Sequence, residues 1–249
     1  MCFESKLLSQ TVLIYLMSAE ARTSKKFVLE DIVTIIPCMI FTIFIFIFQG
    51  SLSPDNIADV VFLLDTSDEV NSLNFEKEKA FVKLLAKRLN VSPGKSRAAL
   101  IAFGSSSTLA IRFDSYNSFQ AFETLVDRVS SVGGARRIDR AFKDAAQVLK
   151  DSQSSVPKIV VLLTTGQQPL DAPSLAESAV PLHSMGAMFY VVSIANNLDR
   201  KYFEVLVGDS TKHVSEVAWF DSLNEVLPQM TRGIEEGKPS QVLKFSPSK

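Results

Sequence analysis

Cysteine and histidine are scarce in this chain of 249 residues, and their scarcity limits the kinds of site that it can hold. The two cysteines, Cys2 and Cys38, both lie in the first fifth of the chain, so the remainder can form neither an internal disulfide nor a thiolate zinc site. The two histidines, His183 and His213, stand far apart, which argues against a histidine-rich metal centre and leaves few candidates for general-base catalysis.

Neither sign of charge is in excess. The 26 Lys and Arg residues against 27 Asp and Glu residues leave a formal net charge of -1. With this balance the chain has no excess positive charge that would attract nucleic acid or an anionic membrane, so a basic nucleic-acid-binding protein is not indicated. Hydrophobic residues make up 47% of the chain, which is enough for one full-sized domain and an additional segment.

One long uncharged run lies near the N-terminus, over residues 32–48, and reads IVTIIPCMIFTIFIFIF. As a helix it would extend about 26 Å at about 1.5 Å per residue, slightly short of the roughly 30 Å hydrocarbon core of a bilayer. The run predicts either a signal peptide or a single N-terminal anchor, and both remain open. Basic residues precede it and acidic residues follow it, so the positive-inside tendency places everything after about residue 50 outside the cytoplasm.

Three parts follow from this pattern: a leader over residues 1–53, a folded domain over 54–234 and a polar tail over 235–249. Inside the domain, strand-like apolar runs alternate with amphipathic helical stretches, which is typical of an α/β sheet with crossover helices. The runs 58–64 and 158–163 are apolar throughout and predict central strands that are buried on both faces.

The remaining elements are predicted from local spacing. A short Gly-Ser turn joins strands over 97–103 and 109–113 into an antiparallel hairpin. Further strands are predicted over 188–194 and 213–218. Helices are predicted over residues 75–89, 119–129, 137–149, 174–183, 199–206 and 220–234.

The order of these elements and four short motifs resemble the von Willebrand factor A domain family over nearly all of residues 58–233. The motifs are Asp65-Thr66-Ser67 after a strand, Gly133-Gly134 before a helix with Ala141-Phe142, a strand ending LLTTG and the later VVSIANN. Among members, the chain looks most like the domains of matrix proteins such as collagen VI and the matrilins. The resemblance implies a doubly wound, mostly parallel six-stranded sheet flanked by helices, with ligands bound where the strand order reverses.

Most adhesive members of that family bind a divalent metal through an Asp-x-Ser-x-Ser loop, a Thr and a later Asp. Here Asp65 and Ser67 match, whereas Glu69, Ile138 and Thr165 replace the second Ser, the Thr and the later Asp. An isoleucine supplies no oxygen to the octahedral shell that Mg²⁺ requires. The resemblance therefore implies a degenerate metal site with Asp65, Ser67, Glu69 and Thr165 as the candidate ligands. No cofactor is expected, with weak binding of Mg²⁺ or Ca²⁺ left open.

Two other roles remain open for these residues. Asp65 and Ser67 are also suited to accept hydrogen bonds from backbone amides in a strand-to-helix loop. Either Arg136 or Arg137 would supply to Asp65 and Glu69 the positive charge that a lost metal would have given. The ligand-binding rim is expected on the loops that follow the strands, and its candidate residues are Asp68, Ser106, Gly134, Arg136, Arg137 and Gln167.

The function that the resemblance implies is an extracellular protein-binding or adhesion module of matrix type, not an enzyme. Its expected partners are extracellular matrix proteins or collagen, without nucleic acid, and with membrane contact only through residues 32–48. Two alternatives within binding proteins are a structural matrix component that assembles with itself or collagen, and a metal-dependent adhesion receptor domain. The protein would be secreted to the matrix, or be a single-pass membrane protein with the domain outside.

Two further motifs are typical of other features, a phosphatase site and a glycosylation site. Asp65 at a strand end is also typical of aspartyl-phosphate phosphatases, but those enzymes need a second Asp two residues later, where this chain has Ser67.

Asn90-Val91-Ser92 is an N-glycosylation sequon, so we expect a glycan on Asn90 in a secreted chain. Pro93 directly after the sequon should lower its use.

Overall fold

The structure is a computed structural model that describes residues 57–195, 200–208 and 210–237. The chain divides into two units, Met1–Pro54 and Asp55–Lys249, and every described residue belongs to the second. The predicted leader, the last two residues of the VVSIANN motif and residues 238–249 of the predicted tail lie outside the described residues. None of the described helices has both the length and the apolar character that crossing a membrane requires.

The described residues form one six-stranded sheet with the order β3-β2-β1-β4-β5-β6. Strand β3 is antiparallel to β2, and all other neighbours are parallel. The strands are β1 (Asp59–Asp65), β2 (Arg97–Phe103), β3 (Ser107–Ile111), β4 (Lys158–Thr164), β5 (Met188–Ile194) and β6 (Val214–Val217). The predicted doubly wound, mostly parallel sheet and its antiparallel hairpin are confirmed.

Helices cover both faces of the sheet. Helices α1 (Ser72–Arg88), α2 (Phe119–Asp127) and α6 (Leu223–Gly237) pack on one face. Helices α3 (Ile138–Asp151), α4 (Leu175–Ser184) and α5 (Arg200–Val207) pack on the other. This arrangement follows from the chain order, because parallel neighbours must be joined by crossovers that return over one face or the other.

The two central strands, β1 and β4, are neighbours, as their continuous apolar sequences predict. Along β1, Val60, Phe62 and Leu64 belong to the apolar cluster on one face, whereas Val61 and Leu63 belong to the cluster on the other. Successive side chains of a strand point to opposite faces, so a strand between two helix layers needs apolar residues at every position.

Most element boundaries agree with the predictions to within two residues, and the differences have local causes. Helix α1 begins three residues earlier than predicted, because the Asn71 side chain accepts a hydrogen bond from the Asn74 N–H at 2.9 Å and caps it. The predicted last helix is divided into a 3-10 turn, Phe220–Ser222, followed by α6.

Candidate functional site

Four loops meet at the carboxyl edge of the sheet. They are residues 66–71 after β1, the hairpin turn 104–106, residues 128–137 before α3 and residues 165–174 after β4. The chain leaves β1 for a helix on one face and leaves β4 for a helix on the other, so the two neighbouring strand ends lie at a reversal of strand order. Open α/β sheets bind their ligands in the crevice that such a reversal creates.

Backbone hydrogen bonds connect three of these loops. The Gly133 N–H donates to the Thr66 carbonyl at 2.9 Å, and the Gly133 carbonyl accepts from the Ser105 N–H at 2.8 Å. The Asp68 N–H donates to the Gly134 carbonyl at 3.1 Å, and the Gly134 N–H donates back to Asp68 Oδ1 at 2.7 Å. The Gly-Gly motif is thus the segment that holds the loop after β1 and the hairpin turn together.

Arg136 lies at the centre of the edge. Its Nε donates to Asp65 Oδ2 at 2.5 Å, and its Nη2 donates to Glu69 Oε2 at 2.7 Å and to Thr165 Oγ1 at 2.5 Å. Its Nη1 donates to the Gln167 carbonyl at 3.0 Å. The side chains of Arg136 and Asp65 are 5% and 0% exposed, whereas that of Glu69 is 70% exposed. A buried guanidinium therefore joins the loops that follow β1 and β4.

The Asp65 carboxylate is fully engaged. Besides Arg136, its Oδ2 accepts from Thr164 Oγ1 at 3.2 Å and from the N–H and Oγ1 of Thr165 at 3.0 Å each, while its Oδ1 accepts from the Ser67 N–H at 3.0 Å. Burial by itself would raise the pKa of Asp65, but the Arg136 guanidinium and these donors outweigh burial and lower that pKa. Asp65 is therefore ionised at neutral pH.

The two arginines of the rim have different roles. Of the two considered as the counter-charge for Asp65 and Glu69, Arg136 makes that ion pair. Arg137 instead binds Asp139 Oδ2 at 2.8 Å and Asp171 Oδ2 at 3.4 Å. Arg136, one of the predicted rim residues, is only 6% exposed and lies beneath the surface.

The other candidate residues lie on the expected loops. Ser106, Asp68 and Gln167 are exposed, and Gly134 is half-buried. Ile138, which replaces the family's Thr, is fully buried in the apolar cluster beneath α3 and contributes no polar atom to the edge. The Ser67 hydroxyl is buried and makes no hydrogen bond of good geometry, although it is near enough to Asp65 to help lower the pKa of that carboxyl.

Two buried polar side chains lie near this edge, and of these Glu78 was missed from the sequence. The Gln168 side chain is buried, and its Oε1 accepts from the Asp139 N–H at 2.9 Å, which ties the loop after β4 to the start of α3. Glu78 is fully buried in α1, and neither of its carboxyl oxygens has a hydrogen-bond partner among the described residues. Its position three residues after Phe75 and three before Phe81 indicates the buried helix face, so the helical spacing could have identified it.

Burial raises the pKa of Glu78 well above its ordinary range. The negative charge of Asp65 raises it further, while the charge of Arg136 acts in the opposite direction. A second carboxyl therefore lies within electrostatic range of the Asp65–Arg136 pair and, unlike Asp65, favours its protonated form.

The residues at this edge do not fit a divalent ion while Arg136 is in place. Its guanidinium already donates to Asp65, Glu69 and Thr165, which are three of the four candidate ligands. An ion among the same oxygens would lie beside a buried positive charge, and like charges repel strongly where solvent is excluded. Among the described residues there is also no group of three or more His, Cys, Asp or Glu side chains that could hold a metal.

Comparison with known proteins agrees with this architecture. The family model for the von Willebrand factor type A domain matches residues 59–229. Cuticlin-6 of Caenorhabditis elegans is 25% identical over 170 residues, covering 68% of this chain and 29% of that protein. Matrilin-3 of Mus musculus is 24% identical over 185 residues, covering 72% of this chain and 37% of that protein. The chain thus spans well under half the length of these curated relatives.

A solved structure of similar fold holds zinc at a motif of its own. It is proximal thread matrix protein 1 from the mussel byssus with a zinc-occupied MIDAS motif, with a TM-score of 0.65 and 22% sequence identity. The match covers 72% of this chain and 46% of that one. At this identity the likeness shows the shared fold.

Proposed function

The chain belongs to the von Willebrand factor type A domain family, and from this we propose that it is a protein-binding or adhesion module of the extracellular matrix with a degenerate metal site. Its similarity to matrilin-3 and to a byssal thread matrix protein supports the matrix assignment. The expected partners are matrix proteins or collagen. The predicted signal peptide or anchor over residues 32–48 supports a placement of the folded domain outside the cytoplasm.

The observation that carries this proposal is the construction of the carboxyl edge. Exposed side chains such as Ser106 and Gln167 lie on loops that the buried Arg136 and the Gly133-Gly134 segment connect to one another. Loops that are held by a rigid scaffold present a preorganised surface, which lowers the entropy cost of binding a protein partner.

An enzyme of the phosphatase type is disfavoured by the state of Asp65. A nucleophilic carboxylate must reach the phosphorus atom, but this side chain is 0% exposed and both of its oxygens accept hydrogen bonds. A metal-dependent receptor domain is disfavoured because the Arg136 guanidinium already engages the oxygens that would hold the ion.

The test measures retention of the full-length chain, purified in a mild detergent, on surfaces coated with fibrillar collagen or with matrilin-3. Retention that persists in chelator and is lost in the rim variants Ser106→Arg and Gln167→Arg is the expected result. Val180→Arg is the matched control, because Val180 is exposed on α4 and lies outside these loops. Retention that needs a divalent ion, or that all three variants weaken equally, would contradict the proposal.

A further inference from the structure

We infer that the Arg136 guanidinium takes the place of a divalent cation at the carboxyl edge. A side chain of the domain then supplies the positive charge that a bound metal ion supplies in other members of the family. The inference rests on the degenerate metal site proposed above. It does not depend on which partner the domain binds.

The first argument is the set of atoms that Arg136 contacts. Its three nitrogens reach oxygens from the loops after β1 and after β4, and three of those oxygens belong to the candidate ligands Asp65, Glu69 and Thr165. A guanidinium carries five N–H donors in a planar fork, so a single side chain can hold several oxygens that an ion would otherwise bring together.

The second argument is charge. The Asp65 side chain is completely buried, and a buried carboxylate needs a positive partner close by. Arg136 supplies one positive charge within hydrogen-bond distance of it, which balances the buried pair one to one. Glu69, whose side chain is 70% exposed, accepts a hydrogen bond from the same guanidinium on its solvent-facing side.

The third argument is space. A Cβ atom added at Gly166, directly after Thr165, would collide with Arg136 Nη1. The absence of a side chain at Gly166 is therefore what allows the guanidinium to lie against the end of β4. The guanidinium therefore occupies the space beside Thr165 and Gly166 at the end of β4, next to the oxygens that an ion would need.

The fourth argument is an oxygen that Arg136 leaves aside. Among the candidate ligands, Ser67 is the one that receives no hydrogen bond from the guanidinium, and its buried hydroxyl makes no hydrogen bond of good geometry. The donors of a guanidinium lie in one plane, whereas an ion is surrounded by its ligands. An arginine in the place of an ion is thus expected to leave one candidate oxygen outside its own hydrogen bonds.

The test is calorimetric titration of Mn²⁺ into the full-length chain and into its Arg136→Ala and Arg137→Ala variants, each purified in a mild detergent. We expect no saturable binding to the unmodified chain or to Arg137→Ala. Arg136→Ala should show saturable binding of Mn²⁺ and should melt at a higher temperature in the presence of Mn²⁺ than in its absence. Arg137→Ala is the matched control because the two arginines are adjacent but Arg137 pairs with Asp139 and Asp171.

Saturable binding of Mn²⁺ to the unmodified chain would overturn the inference, and so would a folded Arg136→Ala variant that gains no binding. If that variant does not fold, paramagnetic broadening in the unmodified chain decides the question. The amide signals of Thr165 and Gly166 should stay sharp when Mn²⁺ is added, and selective broadening of both would place an ion beside Arg136. None of these readouts involves a partner, so their failure is distinguishable from a failure to bind matrix proteins.

Discussion

A Cβ atom built on Gly104 would overlap the carbonyl oxygen of Gly133, so the hairpin turn and the loop before α3 touch backbone to backbone. The Ser105 N–H donates to that same carbonyl at 2.8 Å, and the Arg137 N–H donates to the Gly104 carbonyl at 3.0 Å. The two loops are therefore held at a separation that admits hydrogen at Gly104 and nothing larger.

We expect Gly104→Ala to lower the free energy of unfolding by about 3 kcal/mol, because a backbone obstacle cannot move aside as the tip of a side chain can. Urea denaturation measures this loss. Gly186→Ala is the control: its positive φ of 70° costs about 1 kcal/mol, but the space around it is open. The same loss in both variants would contradict the close packing of Gly104 against Gly133.

Removal of the Arg136 side chain should destabilise the domain more than removal of any exposed arginine. Arg136→Ala leaves the carboxylate of Asp65 buried without its counter-charge, which costs about 3–5 kcal/mol. Arg136→Lys keeps the charge but loses the planar fork, so we expect it to recover only part of this loss.

The matched comparison is Arg137→Ala, measured by the same denaturation experiment. Arg137 pairs with Asp139, which is 13% exposed, and with Asp171, which is 75% exposed, whereas Asp65 beside Arg136 is 0% exposed. We therefore expect a smaller loss in the free energy of unfolding for Arg137→Ala than for Arg136→Ala. Equal losses in Arg136→Ala and Arg137→Ala would mean that the ion pair with Asp65 contributes no more than a surface pair.

Glu78 should make the domain less stable as the pH rises. Its pKa is raised well above the ordinary value of 4.5, so the folded state keeps a proton that the unfolded state loses. The loss begins near that ordinary value and continues up to the raised pKa of the folded state, at up to about 1.4 kcal/mol per pH unit.

The measurement is the free energy of unfolding of the unmodified chain and of Glu78→Gln between pH 5 and pH 8. The difference between the two proteins should grow with pH in favour of Glu78→Gln. Asp65 does not interfere with this measurement. Because its pKa is lowered, its contribution to the free energy of unfolding is lost only in more acidic solution. A difference that stays constant over this range would show that Glu78 is ionised in the folded protein.

The apolar runs of the sequence predict the central strands because burial between two helix layers requires apolar residues at every position, as in β1 and β4. The location of the site is predictable for a similar reason, since motifs at the ends of parallel strands meet at one edge. The sequence does not predict which of Arg136 and Arg137 pairs with Asp65, because the side chains of adjacent residues at the start of a helix point in different directions. In the structure the Arg137 N–H donates to the Gly104 carbonyl and the Arg136 guanidinium lies against Gly166, and neither contact can be read from the sequence.

Asn90 stays a predicted glycosylation site, and the structure places it on an exposed position directly after α1. Expression in a secretory cell line followed by enzymatic removal of N-glycans should increase the gel mobility of the chain. Ser92→Ala should show no such shift, because the sequon requires its hydroxyl. It is a better test than replacement of Asn90, whose positive φ of 57° disfavours most other side chains. An unchanged mobility before and after enzyme treatment would show that Pro93 blocks the sequon.

The strands at the two edges of the sheet are shorter than those inside it. Strand β3 has five residues and β6 has four, whereas β1, β2, β4 and β5 have seven each. A short edge offers few open N–H and C=O groups for a strand of another molecule to join. The short edge strands therefore hinder neighbouring copies of the domain from joining edge to edge into continuous sheets.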